Sequence, residues 1–480
     1  MVARSEKTGG QAGRGARWER HRVSEAASIK RRFKPYPAYK DSGVEWLGRI
    51  PAHWDVKRLK TIASVQLSNV DKKSVEGQES VGLCNYVDVY YSEHIIPELD
   101  FMAATATPEQ VRRFSLHAGD VLITKDSESW TDIAVPAVVT TDLPGVLCGY
   151  HLALVRPASG CDGAFLARAF SAIGPRDQFQ IVANGITRFG LGGDAIRTGV
   201  FATPPAQEQR AIAAFLDRET AKIDALVAKK KRLIELLQEK RTALITRAVT
   251  KGLDPTVPMK DSGVEWLGEI PAHWEVKRIQ DIADSLQTGP FGSQLHADEY
   301  VAGGCPVINP ANLQDGRLVP DSDCTVDEAT ALRLERHRLT ADDILFARRG
   351  ELGRCGLATP QQEGWLCGTG SLRLRTRRDL AKPQFLLRLL SATGVRDWLQ
   401  LQSVGSTMQN LNTAIIGRIP VALPMPAEQD EIVERIERDA GRIDSLIAKV
   451  RDAIDRLKEF RTALISAAVT GKIDVRGEVP

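Results

Sequence analysis

Arginine residues in the second half of the chain occur at spacings suited to binding phosphate groups or base edges. Arginine alternates with leucine over 371–377, which places three guanidinium groups on one face of a predicted strand. Three more arginines lie in glycine-containing sequence after a predicted strand at 344–347. A guanidinium group forms paired hydrogen bonds with phosphate or with the edge of guanine. The candidate DNA-binding residues of this half are Arg348, Arg349, Arg354, Arg373 and Arg375, together with Thr407, Gln409 and Asn410 in a later polar stretch.

The first half offers fewer residues of this kind. Lys125, Ser127 and Ser129 follow the corresponding predicted strand, and Thr187 and Arg188 lie in a later stretch that contains glycine. Lysine, serine, threonine and arginine are all common donors to phosphate oxygens. We therefore include these five residues among the candidates for DNA binding.

The charge balance gives this prediction only partial support. Residues 59–203 contain 11 Lys or Arg and 16 Asp or Glu, and residues 279–423 contain 15 and 16. A domain that binds DNA strongly on its own carries a basic excess. The alternative interpretation is therefore solvated charge balanced by nearby acids, and DNA affinity would have to come partly from partner chains. Residues 1–34 do carry an excess, ten basic against three acidic, and are predicted to be a disordered tail that either contacts nucleic acid or is dispensable.

Several kinds of chemistry are missing from the sequence. It contains no GxxxxGK[ST] phosphate loop, no GxGxxG and no [DNS]PP[YFW] motif. Its seven cysteines are never closer than twelve residues, which excludes CxxC pairs and indicates reduced thiols in a cytoplasm. His53 and His273 are not at metal-ligand spacing and are predicted to be structural. The sequence thus predicts a binding protein with no catalytic, cofactor or metal site and no membrane span.

The elements that must position these residues are written twice in the chain. KDSGVEWLGRIPAHWDVKRLKTIA at 40–63 returns as KDSGVEWLGEIPAHWEVKRIQDIA at 260–283, with 19 of 24 positions identical. The same offset of 220 relates RTALITRAVT at 241–250 to RTALISAAVT at 461–470. Between these matches the copies have diverged, although they keep shared landmarks such as Gly185 and Gly405. A tandem duplication with two different variable segments suits a protein that recognises two different things with one geometry.

Each variable segment reads as an α/β mixture that ends in Pro-rich sequence, Glu-Gln and a long helix. Two apolar seams at heptad spacing predict a coiled coil, and the alternative is an amphipathic helix that lies on its own domain. Pairing of the copies about a pseudo-twofold axis would make the helices antiparallel. Gly252 and Gly471 are predicted to follow the helix ends. The tryptophans of the repeated motif are expected to clamp each variable domain onto the helix ends. The predicted seams are Ile223, Leu226, Leu233, Leu237 and Leu244, and Ile443, Leu446, Val450, Leu457, Phe460 and Leu464.

The order of these motifs, DSGVEWLGxIPxHW, variable domain, LPxPxEQ, long helix and RTALIxxAVT, all doubled, resembles the specificity subunit of type I restriction-modification systems. The resemblance spans roughly residues 36–475. TGPFGSQLHADEY at 288–300 and GGCPVINPANLQDG at 303–316 look like openings of that family's target recognition domains, and GxTxxxL at 185–191 and 405–411 look like their closings. The first variable domain departs from the pattern because it lacks the GPFGS opening.

The resemblance implies two globular target recognition domains joined by two long antiparallel helices in a coiled coil. Each domain would read half of a bipartite, asymmetric site in double-stranded DNA, and the helices would set the spacing and dock two methyltransferase subunits. Those subunits would use S-adenosylmethionine, and restriction subunits would use ATP and Mg2+. The alternative function is a non-catalytic, two-headed scaffold for protein or other ligands. The expected segments are a tail at 1–34, the first motif and domain at 35–203, a helix at 204–256, the second motif and domain at 257–423 and a helix at 424–475.

Overall fold

A computed structural model describes residues 32–290, 294–349, 353–403 and 411–478 of the chain. The chain divides into two compact units. The first takes the residues up to Lys230 and those from Arg451 onward, and the second takes Lys231–Val450. Each unit therefore contains one variable segment and one stretch of each long helix, so the units cut across the linear segments of the sequence.

The first unit contains a five-stranded sheet in the part that the structure describes. The strands of the first unit are β1 (Tyr39–Asp41), β2 (Arg49–Pro51), β3 (Asp55–Arg58), β4 (Ala63–Leu67), β5 (Glu79–Cys84), β6 (His94–Ile95), β7 (Met102–Ala106), β8 (Ser115–Leu116), β9 (Val121–Thr124), β10 (Asp126–Ser127), β11 (Pro136–Val139), β12 (Leu143–Cys148), β13 (Leu152–Pro157), β14 (Phe189–Gly190) and β15 (Val200–Thr203). The sheet has the order β4-β13-β9-β11-β6, and β7-β5-β12-β8 form a second sheet. All four residues of β9 are buried, as expected of an apolar strand with neighbours on both sides.

Helices of the first unit pack against this sheet, and the long helix follows its domain in the chain. They are α1 (Leu59–Ile62), α2 (Tyr86–Tyr91), α3 (Pro108–Phe114), α4 (Gly163–Ser171), α5 (Ile173–Val182), α6 (Gly193–Thr198) and the long helix α7 (Ala206–Lys251). Within α4, five apolar side chains are buried against strands that include β9 and β11. The mixed α/β character expected of the variable segment is confirmed.

The second unit repeats this plan. Its strands are β16 (Met259–Asp261), β17 (Glu269–Pro271), β18 (Glu275–Arg278), β19 (Ala283–Thr288), β20 (Tyr300–Val301), β21 (Cys305–Ile308), β22 (Leu313–Gln314), β23 (Gly316–Leu318), β24 (Thr325–Val326), β25 (Ile344–Ala347), β26 (Cys355–Leu357), β27 (Leu366–Cys367), β28 (Ser371–Thr376) and β29 (Pro420–Leu423). Its helices are α8 (Ile279–Ile282), α9 (Glu328–Arg333), α10 (Pro383–Leu390), α11 (Thr393–Ser403), α12 (Thr413–Gly417) and the long helix α13 (Pro426–Val469). Its main sheet has the order β19-β28-β25-β26-β23-β22 in the described residues. The first five strands match β4-β13-β9-β11-β6 in order, so β25 occupies the place of β9.

The two long helices pair in each unit. Helix α7 has 46 residues and α13 has 44. In the first unit Arg461 Nε lies 3.1 Å from Asp224 Oδ1, and in the second unit Arg241 Nε lies 2.9 Å from Asp444 Oδ1. The sum of the two residue numbers is the same for both ion pairs. This equality is expected of two antiparallel helices that keep one register. The expected antiparallel pairing is thus confirmed.

The buried seam of these helices differs by one position from the predicted one. Leu226, Leu233 and Leu446 are 41–44% exposed, whereas Val227 and Ile447 are buried. Successive seam positions of a heptad repeat are three or four residues apart, and in these helices an apolar residue is present at both distances. The predicted seam is wrong at these three leucines, because packing against the partner helix buries the residue four positions after the preceding seam residue.

The duplicated PAHW motif binds the first turn of each long helix. In the first unit Trp54 is fully buried and its Nε1 donates to Glu208 Oε1 at 3.1 Å, while His53 Nε2 lies 2.8 Å from Glu208 Oε2. In the second unit Trp274 Nε1 donates to Glu428 at 3.0 Å, and the adjacent histidine approaches the same carboxylate at 2.9 Å. The predicted structural role of both histidines and the clamp by these tryptophans are confirmed.

The glutamine that follows each of these glutamates ties the variable domain to the helix. Gln209 Oε1 accepts the backbone N–H of Asp162 at 2.8 Å, and its Nε2 donates to two backbone carbonyls at 3.1 and 2.8 Å. Gln429 makes the same set of bonds, with the Lys382 N–H at 2.7 Å and two carbonyls at 2.9 and 2.8 Å. Both glutamines are fully buried and satisfied. The Glu-Gln dipeptide therefore fixes the domain through backbone atoms.

The far end of each long helix meets the other part of the repeated motif in its unit. Gly252 and Gly471 follow the helices at φ +73° and +69°, as predicted, since glycine adopts this conformation without strain. Lys251 Nζ donates to the leucine carbonyl of DSGVEWLG in the second unit at 2.9 Å. Lys472 Nζ does so in the first unit at 2.7 Å. The motif thus contacts both helices of its unit.

Some features are absent from the part of the chain that the structure describes. None of its helices is long and apolar enough to cross a membrane, and no three or more His, Cys, Asp or Glu residues gather in a way that could hold a metal ion. All seven cysteines are free thiols. Burial raises the pKa of Cys355 to about 11 and that of Cys367 to about 12, so both remain protonated near neutral pH.

Candidate nucleic-acid interface

Equivalent strands of the two units end at the predicted candidate residues. Strand β9 is followed by Lys125, and β25 is followed by Arg348. The Leu191 N–H donates to the Lys125 carbonyl at 2.8 Å, and the Leu411 N–H donates to the Arg348 carbonyl at 3.0 Å. Each leucine ends a GxTxxxL pattern, so the fold brings the end of the central strand to the closing segment of the domain.

In the first unit a short hairpin pairing completes this arrangement. Strand β10 pairs with β14, which places Ser127 opposite Phe189 and brings the exposed Thr187 and Arg188 alongside. Gly185 begins this segment at φ +151°, and a Cβ atom there would lie 1.8 Å from the Arg188 carbonyl oxygen. Only glycine fits such an approach. The predicted Lys125–Ser129 and Thr187–Arg188 groups are therefore neighbours.

Two of the candidates in this loop have their polar groups engaged within the domain. Lys125 is 8% exposed, pairs with Asp126, and lies 4.6 Å from the centre of the Tyr150 ring. Ser127 is also buried, and its Oγ lies 3.1 Å from the Tyr86 hydroxyl. Such contacts suit residues that shape the loop. Ser129 is half-buried and accepts the Thr131 N–H through its Oγ at 3.3 Å.

Aromatic side chains surround this loop, and none of them is among the residues predicted from the sequence. Tyr86 and Tyr90 are stacked with ring centres 5.5 Å apart, and Tyr91 packs edge-on to Tyr90 at 5.0 Å. Tyr91 is 81% exposed, and Trp130 and Tyr150 are about half exposed. Exposed aromatic rings beside a basic residue are a common feature of nucleic-acid-binding surfaces. The YVDVYY run at 86–91 was the available signal.

In the second unit the residues after β25 differ in their contacts. Arg348 Nε donates to the Leu411 carbonyl at 2.8 Å, so this side chain holds the closing segment. Arg349 is exposed and has no hydrogen bond or ion pair with a described residue. Arg354 is half-buried, and its Nε has no hydrogen-bond partner among the described residues. Arg349 is thus the member of this group that is available to a ligand.

The arginines of β28 are held inside the domain. Asp343 is fully buried and accepts Arg375 Nε and Nη2 at 2.8 and 2.9 Å. Arg373 is 6% exposed and donates to the Gln287 side chain at 2.9 Å. The first unit contains an equivalent pair, in which Asp120 holds Arg156 at 2.8 and 2.7 Å. A duplicated buried ion pair favours a structural role for Arg375. Arg373 and Arg375 both face Asp343, as expected of residues on one face of the strand, but both are engaged within the domain.

Comparison with known proteins agrees with this duplicated architecture. The model of the type I restriction modification DNA specificity domain matches residues 271–454. The EcoBI specificity subunit of a type I restriction enzyme from Escherichia coli is 24% identical over 274 residues. That alignment covers 56% of this chain and 57% of the relative. Over these segments the chain is similar to specificity subunits of type I restriction enzymes.

Other proteins are similar to this chain over different lengths. A Methanocaldococcus jannaschii protein named as an MjaX specificity subunit is 21% identical over 436 residues, which cover 90% of this chain and 96% of the relative. The first-ranked relatives are matched over only 57–62% of their length. A solved chain described in work on complex assembly and conformational transition of the type I R-M system has a TM-score of 0.65 at 16% identity, covering 90% of this chain and 99% of its own. That likeness establishes the fold.

The candidate residues of this chain differ in their surroundings. Thr187, Arg188 and Arg349 are exposed, whereas Lys125 and Arg373 are buried with polar partners. Thr407, Gln409 and Asn410 lie outside the described residues. Contact of any of the predicted residues with DNA stays a prediction. The exposed group is the one that can reach a ligand without breaking bonds in the domain.

Proposed function

We propose that each variable domain reads one half of a bipartite, asymmetric site in double-stranded DNA. The observation that carries the proposal is the pair of equivalent strand ends, Lys125 with Leu191 and Arg348 with Leu411. An equivalent backbone hydrogen bond holds the loop in each domain, but the exposed residues differ. This difference suits two domains that recognise different DNA sequences. Base edges carry the sequence information, and phosphate contacts fix the position of the protein.

The proposal assigns all catalysis to partner chains. Methyltransferase subunits would bind S-adenosylmethionine, and restriction subunits would bind ATP and Mg2+. Exposed leucines outside the seam support helix docking, since Leu226 in the first unit and Leu233, Leu236 and Leu446 in the second are 41–46% exposed. The free thiols fit the cytoplasmic location that the same proposal assigns.

Replacement of Arg349 by alanine is expected to weaken binding to the cognate site about 5- to 150-fold, equivalent to ~1–3 kcal/mol for a lost contact with guanine. The loss should be confined to one base pair of one half-site. Arg188→Ala should act on the other half-site. The measurement is equilibrium binding of the complex with its methyltransferase subunits to duplexes substituted at each position, at a fixed salt concentration.

Arg278→Ala provides a matched control, because Arg278 is an exposed arginine of the repeated motif in the same unit as Arg349. It should bind every duplex as the native complex does. Native affinity and specificity in both Arg349→Ala and Arg188→Ala would contradict the interface. If the native complex shows no preference among genomic fragments, the scaffold function takes the place of DNA reading.

The helices are further proposed to set the gap between the half-sites. Insertion of four residues after Leu233 in α7 and after Asp452 in α13 should widen that gap by one or two base pairs. Four helical residues add about 6 Å, and base pairs of B-DNA are about 3.4 Å apart. The matched insertions keep the Asp224–Arg461 and Arg241–Asp444 ion pairs in their registers on either side. Modified-base sequencing of cells that carry the variant would measure the gap.

The half-site sequences should remain the same, because neither insertion touches a candidate reading loop. Substitution of the same eight positions by alanine without insertion would control for changed helix surfaces. An active double-insertion variant with an unchanged gap would mean that the helices do not set the spacing.

A further inference from the structure

A buried arginine joins the variable domain of the first unit to both long helices. Arg168 is 5% exposed and donates to Glu93 at 2.6 Å and to Asp217 at 2.8 Å. Glu93 also pairs with Arg461. Burial raises the pKa of Glu93 while the two arginines lower it, and the net change is a lowering. The Glu93 carboxylate thus bridges two guanidinium groups that would otherwise face each other.

The offset of 220 places the same pair of arginines in the second unit without this bridge. Arg388 takes the position of Arg168, and Arg241 that of Arg461. Arg241 lies 2.9 Å from Asp444, but Arg388 makes no hydrogen bond or ion pair with any described residue. Burial, and next the charge of Arg241, lower the pKa of Arg388. Glu437 stands where Asp217 does and is not within ion-pair distance of Arg388.

Strand register shows what has replaced the glutamate. In the first unit His94 pairs with the third residue of β11, and in the second unit Arg317 pairs with the third residue of β26. The residue before His94 is Glu93, and the residue before Arg317 is Gly316. Gly316 has φ +79°, a conformation that disfavours any side chain. This position therefore supplies no carboxylate.

A pocket of about 370 Å3 lies at this position and is lined by both Gly316 and Arg388. Its lining includes Gly316, Arg317, Leu318, Leu387, Arg388 and Glu437. Arg317 and Arg388 contribute two positive charges against one from Glu437, and the leucines provide an apolar wall. A lone, half-buried guanidinium group is costly unless an anion pairs with it.

We propose that this cavity binds a carboxylate on a short aliphatic stem, which takes the place beside Arg388 that Glu93 fills beside Arg168. The carboxylate would accept from the Arg388 guanidinium group, and its stem would lie against Leu318 and Leu387. The site is independent of DNA reading, since none of its residues belongs to the candidate interface.

Propionate is the probe, because it has the length and charge of a glutamate side chain. Calorimetric titration of the full chain should give saturable binding in the millimolar range, as expected for so small a ligand. Arg388→Gln should weaken this binding about tenfold or more, since it removes a charged hydrogen-bond partner. Arg378→Gln is the control, because Arg378 is an exposed arginine of the same unit that pairs with Asp342. Propionamide should not bind.

The duplication offers a reciprocal variant. Glu93→Gly should open the equivalent space in the first unit and lower the Tm by about 5 °C or more, because it leaves two arginines without their carboxylate. Propionate should restore much of this loss, and chloride at the same ionic strength should not. Persistence of the loss in propionate, with native secondary structure by circular dichroism, would count against the carboxylate-shaped site.

Propionate binding by the assembled complex would show where the natural carboxylate comes from. Loss of propionate binding on assembly would identify an acidic side chain of a partner subunit, and unchanged binding would identify a free carboxylic acid. Three results would overturn the proposal. They are no propionate binding by the native chain, equal binding by Arg388→Gln, and tighter binding of inorganic phosphate than of propionate.

Discussion

Exchange of residues 284–423 for the corresponding segment of a similar type I specificity subunit is expected to replace one proposed half-site completely and to leave the other unchanged. The anchors support this exchange, because Gln429 bonds to backbone atoms that include the Lys382 N–H, which every residue except proline retains. Side-chain packing between the exchanged segment and the long helices must be kept as well. The Trp274 ring lies 6.3 Å from the Phe385 ring in the shared core, so the donor segment should carry an aromatic residue there.

Modified-base sequencing of cells that carry the hybrid would report both half-sites at once. The reciprocal exchange of residues 64–203 is the matched control, and it should alter only the other half-site. A simultaneous change in both half-sites would contradict the proposal of two independent readers. A hybrid that folds and assembles but modifies the native site would show that the exchanged segment does not read DNA.

Loss of the Asp343 carboxylate is expected to cost the second unit about 3–5 kcal/mol of stability, as for other buried ion pairs that lose one partner. Asp343 accepts two bonds from Arg375 and one from the Thr340 N–H at 2.8 Å, and Arg373 lies 3.9 Å away. Asp343→Ala leaves both arginines without this carboxylate. The free energy of unfolding in urea would measure the loss.

Replacement of both partners distinguishes the ion pair from simple loss of volume. The double variant Asp343→Ala with Arg375→Met should recover part of the stability, because the arginine that makes two bonds to Asp343 is then removed together with it, while Arg373 keeps its bond to Gln287. Asp379→Ala is the control, since Asp379 is exposed and pairs only at 3.6 Å with Arg377; it should change stability by less than about 0.5 kcal/mol. Equal stability of Asp343→Ala and the native chain would remove the structural role assigned to Arg375.

The sequence by itself determined the duplicated plan of this protein. An offset of 220 relates elements whose contacts are equally duplicated, so Trp54 meets Glu208 just as Trp274 meets Glu428. The helix ends at Gly252 and Gly471 followed from local preference, since only a few neighbouring residues decide where a helix stops. These features depend on local patterns, or on partners that recur at a fixed spacing, and such information is present in one chain.

The surroundings of single side chains depended on the tertiary structure. Arg375 looked like a free guanidinium group until the fold brought Asp343 to it from 32 positions away. Packing against the partner helix buries Val227 in the seam and leaves Leu226 exposed. The pocket beside Arg388 is lined by Gly316, which strand pairing puts where the other copy has Glu93. Burial and charge pairing are made between residues distant in sequence, so spacing along the chain does not reveal them.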